Sequence, residues 1–192
     1  KNMDAFIELH IEQGNYLENK ELKVGVVHSI VGQKRWDINL KGQSNHAGTT
    51  MMEYRKDTVE GMAKIISHSI DRAKEVGNPL VLTFGRVDPS PNTVNVVPGE
   101  TSFSMDCRHT DHQVLNDFTA EVEETIYRVA NDLGLEVSIS KWMNEPPVPM
   151  DNKIIDIMEN VCIDLDLNYE VMHSGAGHDP QIFAPHVPTG ML

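Results

Sequence analysis

Three histidines stand beside glycine turns: His10 in His-Ile-Glu-Gln-Gly, His46 in Asn-His-Ala-Gly and His178 in Gly-His-Asp. Neutral imidazole ligates metals, and it also polarises carbonyls or shuttles protons. The stretch Gly42-Gln43-Ser44-Asn45-His46-Ala47-Gly48-Thr49-Thr50 sets His46 between a predicted strand and a predicted helix. Its small residues let a ligand approach the backbone, although the same stretch also reads as a surface turn with an ordinary histidine. His10 ends the short apolar segment Ala5 to Leu9, where it reads equally as a metal ligand or as a hydrogen-bonded strand-end residue. A full metal site needs several ligands, and no further ligand set is evident in the sequence, so any co-ligands of His10 are expected elsewhere. Arg108 sits with Asp106 on one face of a predicted strand, either as a guanidinium fork for a substrate carboxylate or as half of a surface salt bridge. Asn95, in a loop between prolines, can donate to a substrate or satisfy its own turn. The turn Gly175 to His178 can offer backbone N–H groups to an anion, but it is too short and irregular for a phosphate loop.

The 192 residues carry 40% hydrophobic side chains, enough to bury a core. A formal net charge of -13 argues against nucleic acid and against an anionic membrane, whose phosphates require clustered Lys and Arg. No apolar run reaches the roughly 20 residues of a membrane span. Cys107 and Cys162 lie far apart and follow no metal spacing, which points to a reducing, cytoplasmic setting. The opening Lys1-Asn2-Met3 suggests a fragment of a longer protein.

The elements that position these groups follow from hydrophobic periodicity. Asn15 to Leu22 begins a helix and Val24 to Val31 reads as a strand. Gln33 to Lys41 alternates, with Trp36, Ile38 and Leu40 on one face and Arg35, Asp37 and Asn39 on the other. Asp57 and Glu60 form a capping-box pattern ahead of a helix with the stripe Val59, Met62, Ala63, Ile66, Ile70 and Ala73, ended by Gly77 and Pro79. Leu80 to Val87 reads as one strand, Asp88 to Pro98 as a loop, and Thr101 to Arg108 as a strand with Phe103, Met105 and Cys107 inward. A helix with the stripe Leu115, Phe118, Val122, Ile126, Val129 and Leu133 precedes a last strand, Leu135 to Trp142. The order β-α-β-β-α-β predicts an α+β, ferredoxin-like domain: a four-stranded antiparallel sheet with both helices on one face. Pro146, Pro147 and Pro149 read as an exit linker. Beyond it, Ile154, Met158, Val161, Cys162 and Leu165 outline a helix and Tyr169 to Met172 a strand. The flanks show no complete sheet, so the small domain is expected to be inserted in part of a larger α/β domain. The expected division is residues 1–31, 32–144 and 145–192.

Six blocks, in order, carry a family resemblance: Glu8-Leu9-His10-Ile11-Glu12-Gln13-Gly14; Ile30 to Gln33; Asn45 to Thr50; Pro91 to Gly99; Asp106 to Asp111; and Ser174 to Asp179. Together they resemble the binuclear-metal amidohydrolases that include N-carbamoyl-L-amino-acid hydrolases and β-ureidopropionase, within the aminoacylase and carboxypeptidase superfamily. Val148-Pro149-Met150 and Arg108-His109-Thr110-Asp111 lean toward the allantoate-hydrolysing branch. The resemblance implies a homodimeric, cytoplasmic enzyme with two divalent ions per subunit, zinc or manganese, that cleaves the ureido C–N bond of allantoate to ureidoglycine, ammonia and carbon dioxide. It implies that His10 ligates metal and that Gln13, Arg35, His46, Asn95, Arg108 and the Gly177-His178 turn contact substrate. It further implies that His46 stabilises the oxyanion, and that residues 32–144 form a lid and dimerisation domain reaching an active site made with the partner subunit. The other metal ligands and a catalytic glutamate would lie before Lys1 and after Leu192, so these 192 residues alone are expected to be inactive. Met51, Glu53 and Pro180 depart from the family pattern, which bears on loop geometry. Hydrolysis of N-carbamoyl amino acids and a non-catalytic dimerisation module are the alternative functions.

Overall fold

Alternation along 33–41 and 101–108 puts bulky apolar side chains on one side of each strand, and that side has to be covered. A computed structural model, which describes residues 3–192, shows how. The chain divides into two compact units, Gln33–Glu145 and the combination of Lys1–Gly32 with Pro146–Leu192.

The inner unit is built on the strands Gly32–Lys41, Val81–Thr83, Glu100–His109 and Glu136–Glu145, with Val87–Ser90 as an extra segment. The strand order runs from Val81–Thr83 through Glu100–His109 and Gly32–Lys41 to Glu136–Glu145. The outer pairs run antiparallel. Side-chain contacts from Arg35 to Asp106 and from Asn39 to Ser102 step in opposite directions, as an antiparallel central pair requires. The helices Thr58–Val76 and His112–Asp132 cover one face and enclose Trp36, Ile38, Leu40, Ile65, Phe103, Met105, Cys107, Leu115, Phe118 and Ile126. The arrangement is the expected α+β, ferredoxin-like βαββαβ sheet-and-helix layer.

Local differences from the sequence reading have physical reasons. The expected strand Leu80 to Val87 is broken: Thr83 pairs with Asp106 and Val87 with Phe103, one residue out of step, while Ser104 exchanges bonds with Arg86. That is a bulge. The expected loop Asp88 to Pro98 holds two paired segments, Val87–Ser90 and Val96–Val97, the latter bonded to Asn45–His46. Asp57 caps its helix, accepting from the Val59 and Glu60 amides, but the buried stripe is Thr58, Gly61, Ile65 and Ser69, with Ala63 exposed. Small residues let this helix sit close to the sheet, and a count of apolar residues misses them.

In the outer unit the flanks do form a sheet, of five strands, contrary to expectation. Val24–Ile30 lies at its centre. It pairs in parallel with Tyr169–Ser174 and antiparallel with Val148–Pro149 and with Met191 of Thr189–Met191, which in turn pairs in parallel with Phe6–Glu8. The proline cluster is therefore no free linker, because Val148 and Pro149 align with Ile30 and Ser29. Helix Asn152–Asp164 packs Ile154, Ile155, Met158 and Cys162 onto Val26, Val27, Ile30 and Met191, while Val161 and Leu165 of the expected stripe are exposed. The helix expected over Asn15 to Leu22 is a single turn, Tyr16–Asn19, capped by Glu12.

Candidate functional site

In the outer unit the chain ends converge on three ligand-type side chains. Phe6–Glu8 runs beside Thr189–Met191, and the short helix Pro180–Phe183 is held by a stacked contact of Phe6 with Phe183 at 4.0 Å. This brings His178, in the turn before that helix, to Glu8 and His10. One ligand atom from each of Glu8, His10 and His178 lies within 4.8 Å of the others. The His10 and His178 rings meet edge to face at 4.5 Å, and His178 Nδ1 is 3.7 Å from Glu8 Oε1. The sequence reading found no co-ligand for His10, because the other donors are two residues before it and at the far end of the chain.

The donor set fits a divalent cation. His10 Nδ1 lies 2.7 Å from the Ile11 carbonyl oxygen, which must be met by an N–H, so the Nε2 lone pair is left for a ligand. A second bond of this kind is the usual companion of a metal-ligating histidine. Burial, with the neighbouring His10 adding to it, lowers the His178 pKa and favours the neutral ring that coordination needs. Gln13 and Gly177 are exposed nearby in sequence to these groups. The His178 amide donates to Gln181 Oε1 and the Ala176 amide to Ser174 Oγ, so two N–H groups of that turn are engaged rather than open to an anion.

The inner unit carries two further groups. On the polar face of the sheet Asp106 accepts from Arg35 Nε at 2.7 Å and from Arg108 Nε and an Arg108 terminal nitrogen at 2.8 and 2.9 Å. Arg35 also donates to Gln33 and lies over the Trp142 ring at 5.6 Å. Burial works to raise the Asp106 carboxyl, but Arg108 and Arg35 outweigh it and hold the pKa below the ordinary carboxylate range. Arg108 is salt-bridged to Asp106, which it shares with Arg35, the second of the two readings left open by the sequence.

The second group is the His46 loop. Asn45–His46 pairs with Val96–Val97, and the Ala47 amide donates to the Asn95 carbonyl, which aligns the exposed His46 and Asn95. The Gly48 N–H donates to His46 Nδ1 at 3.1 Å. In the neutral ring the proton is then on Nε2, facing away from that bond. A Cβ at position 48 would stand 3.2 Å from His46 Cε1, a tight contact that would press on the ring. Arg55 bonds the carbonyls of Ala47 and Thr50. The sequence reading missed Arg55, and only its short distance from His46 in sequence signalled it.

No helix of the described residues is long and apolar enough to cross a membrane. The sequence matches the profile of peptidase family M20/M25/M40 over residues 1–192. It is 53% identical to allantoate amidohydrolase of Escherichia coli over 192 residues, all of this chain and 47% of that protein. It is 38% identical to allantoate amidohydrolase of Bacillus subtilis, over 100% of this chain and 46% of that protein. The crystal structure of an amidase of the hydantoinase/carbamoylase family from Burkholderia multivorans matches with a TM-score of 0.95 and 32% identity, covering 98% of this chain and 46% of that one. The chain thus spans about half the length of the curated relatives it matches. A profile match along the whole chain, with a solved amidase of the same fold, settles the kinship: this chain belongs to peptidase family M20/M25/M40.

Proposed function

We propose that the chain serves metal-dependent hydrolysis of the ureido C–N bond of allantoate, consuming one water and giving ureidoglycine, ammonia and carbon dioxide. The observation that carries the reaction class is the convergence of Glu8, His10 and His178, with His10 oriented by the Ile11 carbonyl. Likeness to the E. coli enzyme supports the substrate. His10, with Glu8 and His178, would hold a divalent cation, zinc or manganese, in a centre of two ions per subunit. Such an ion supplies Lewis-acid polarisation and acidifies water.

The chain's own residues divide the remaining work. His46 donates its Nε2–H to the ureido oxygen as negative charge develops there. Arg35 and Arg108, both oriented by Asp106, turn guanidinium N–H groups to the substrate carboxylate. Gln13, Asn95 and Gly177 complete the substrate contacts, and the His178 ring serves the cation. Residues 32–144 act as a lid and dimerisation domain of a cytoplasmic homodimer. Hydrolysis of N-carbamoyl-L-amino acids is the second reading, favoured by the match to the hydantoinase/carbamoylase-family amidase.

Ammonia release from allantoate and from an N-carbamoyl-L-amino acid by the full-length protein, with and without a chelator, tests the proposal. Chelator-sensitive turnover of allantoate with about two metals per subunit is the expected result. Turnover of the carbamoyl amino acid alone gives the second reading, and a metal-loaded protein inert to both overturns the reaction class.

A further inference from the structure

The loop that presents His46 has no hydrophobic anchor. From Lys41 through Asp57 no side chain is buried, and Met51, Met52 and Tyr54 are largely exposed. A segment so poor in buried apolar contacts is at the low end of local stability unless polar bonds hold it. Those bonds are present and they converge. The Gln43 amide donates to the Lys56 carbonyl and closes the loop. The His46 carbonyl accepts from the Thr50 hydroxyl at 2.9 Å and from the Thr50 amide at 3.2 Å.

Arg55 makes the remaining cross-links. Its Nε donates to the Thr50 carbonyl at 3.1 Å and a terminal nitrogen to the Ala47 carbonyl at 2.7 Å. Among the described residues its guanidinium forms no ion pair with a carboxylate. A half-buried charged group is thus committed to two main-chain oxygens three residues apart. A planar guanidinium fixes the spacing of the two acceptors it bridges, which a lysine cannot do with a single ammonium. Between those two acceptors lies Gly48, whose N–H is bonded to His46 Nδ1.

We propose that Arg55 is the positioning residue for His46: by clamping the carbonyls of Ala47 and Thr50 it holds the Gly48 N–H against Nδ1 and so keeps the imidazole proton on Nε2. The link to catalysis rests on the oxyanion role read for His46 above. The clamp itself does not.

The test is NMR of the His46 ring nitrogens in the 192-residue chain, at a pH above the imidazole range, assigned with His46→Gln. The wild-type ring is expected to show a pyridine-type Nδ1 and a pyrrole-type Nε2. In Arg55→Ala the two tautomers should mix, and the Ala47, Gly48 and Thr50 amides should exchange with solvent on the order of tenfold faster or more. Amides of helix Thr58–Val76 should keep their wild-type rates. Arg55→Lys, which keeps the charge and loses the fork, should not restore the single tautomer. An unchanged His46 spectrum in Arg55→Ala overturns the proposal, and so does acceleration spread through the 58–76 helix, which would make Arg55 a residue of the fold. In the full-length protein Arg55→Ala should lower kcat for the ureido substrate with little change in KM. If no ureido substrate is turned over, the oxyanion role of His46 falls while the ring tautomer still decides the clamp.

Discussion

Replacing Asp106 by asparagine should unsettle the inner unit by an amount that depends on pH in a specified way. Asp106 accepts three charge-assisted hydrogen bonds, one from Arg35 and two from Arg108. Each such bond contributes about 1.5 to 3 kcal/mol when well shielded. The side chains are 25% (Asp106), 31% (Arg35) and 23% (Arg108) exposed, so water screens the set, and bonds sharing one acceptor do not add. A net loss of about 2 to 3 kcal/mol for Asp106→Asn at neutral pH follows, part of it from two guanidinia left facing each other. The folded-state carboxyl titrates below its unfolded value of about 3.9. Its contribution is therefore fully present above the unfolded value and is lost as pH falls through the depressed folded value. Trp36 and Trp142 both lie in the inner unit and are the only tryptophans of the chain, so urea unfolding followed by tryptophan fluorescence reads this unit alone. The stability gap between wild type and Asp106→Asn should be flat from about pH 5 upward and shrink below about pH 4. A gap that is absent at neutral pH, or that persists unchanged in acid, refutes the reasoning.

Two glycines of the inner unit should respond differently to alanine. At Gly42 a Cβ would collide with the Lys56 backbone carbonyl, and Gly42→Ala should cost about 2 kcal/mol or more by the same fluorescence measurement. At Gly61 the Cβ would meet the ends of the Leu135 and Leu40 side chains, which can turn aside. Helix propensity offsets that cost by about 1 kcal/mol, so Gly61→Ala should be the milder change. Zinc at about a hundredfold excess over its Kd should stabilise the outer unit by about 2.7 kcal/mol, read as slower amide exchange in Val24–Ile30. The effect should vanish in His10→Ala and weaken in acid, where protons compete for the same nitrogens.

The sequence made some of this legible and hid the rest for definite reasons. Alternation at Trp36, Ile38 and Leu40 and at Phe103, Met105 and Cys107 foretold the inward faces, because strand side chains alternate whatever the surroundings. The Asp57 cap was equally local. Hydropathy misplaced the 58–76 helix face, where Thr58, Gly61 and Ser69 are buried for their size, and it ran through the bulge at Phe84–Arg86. The grouping of Glu8 and His10 with His178 depends on pairing between strands from the two ends of the chain, and no local pattern encodes that. No pattern in the sequence singled out Arg55, since its partners are main-chain carbonyls that leave no mark in residue types.

Gln33 and Glu145 are register partners, and so are Ile30 and Val148 just outside them. The inner unit thus enters and leaves through a doorway one strand spacing wide. Joining 1–32 to 146–192 across an unfolded intervening chain of roughly a hundred residues would cost on the order of 4 kcal/mol in closure entropy. Once the inner unit has folded, that loop is already shut and the two halves of the outer sheet meet as if tethered by a few residues. The insertion then serves as an internal splint, and its loss of structure would loosen the outer sheet through chain entropy alone.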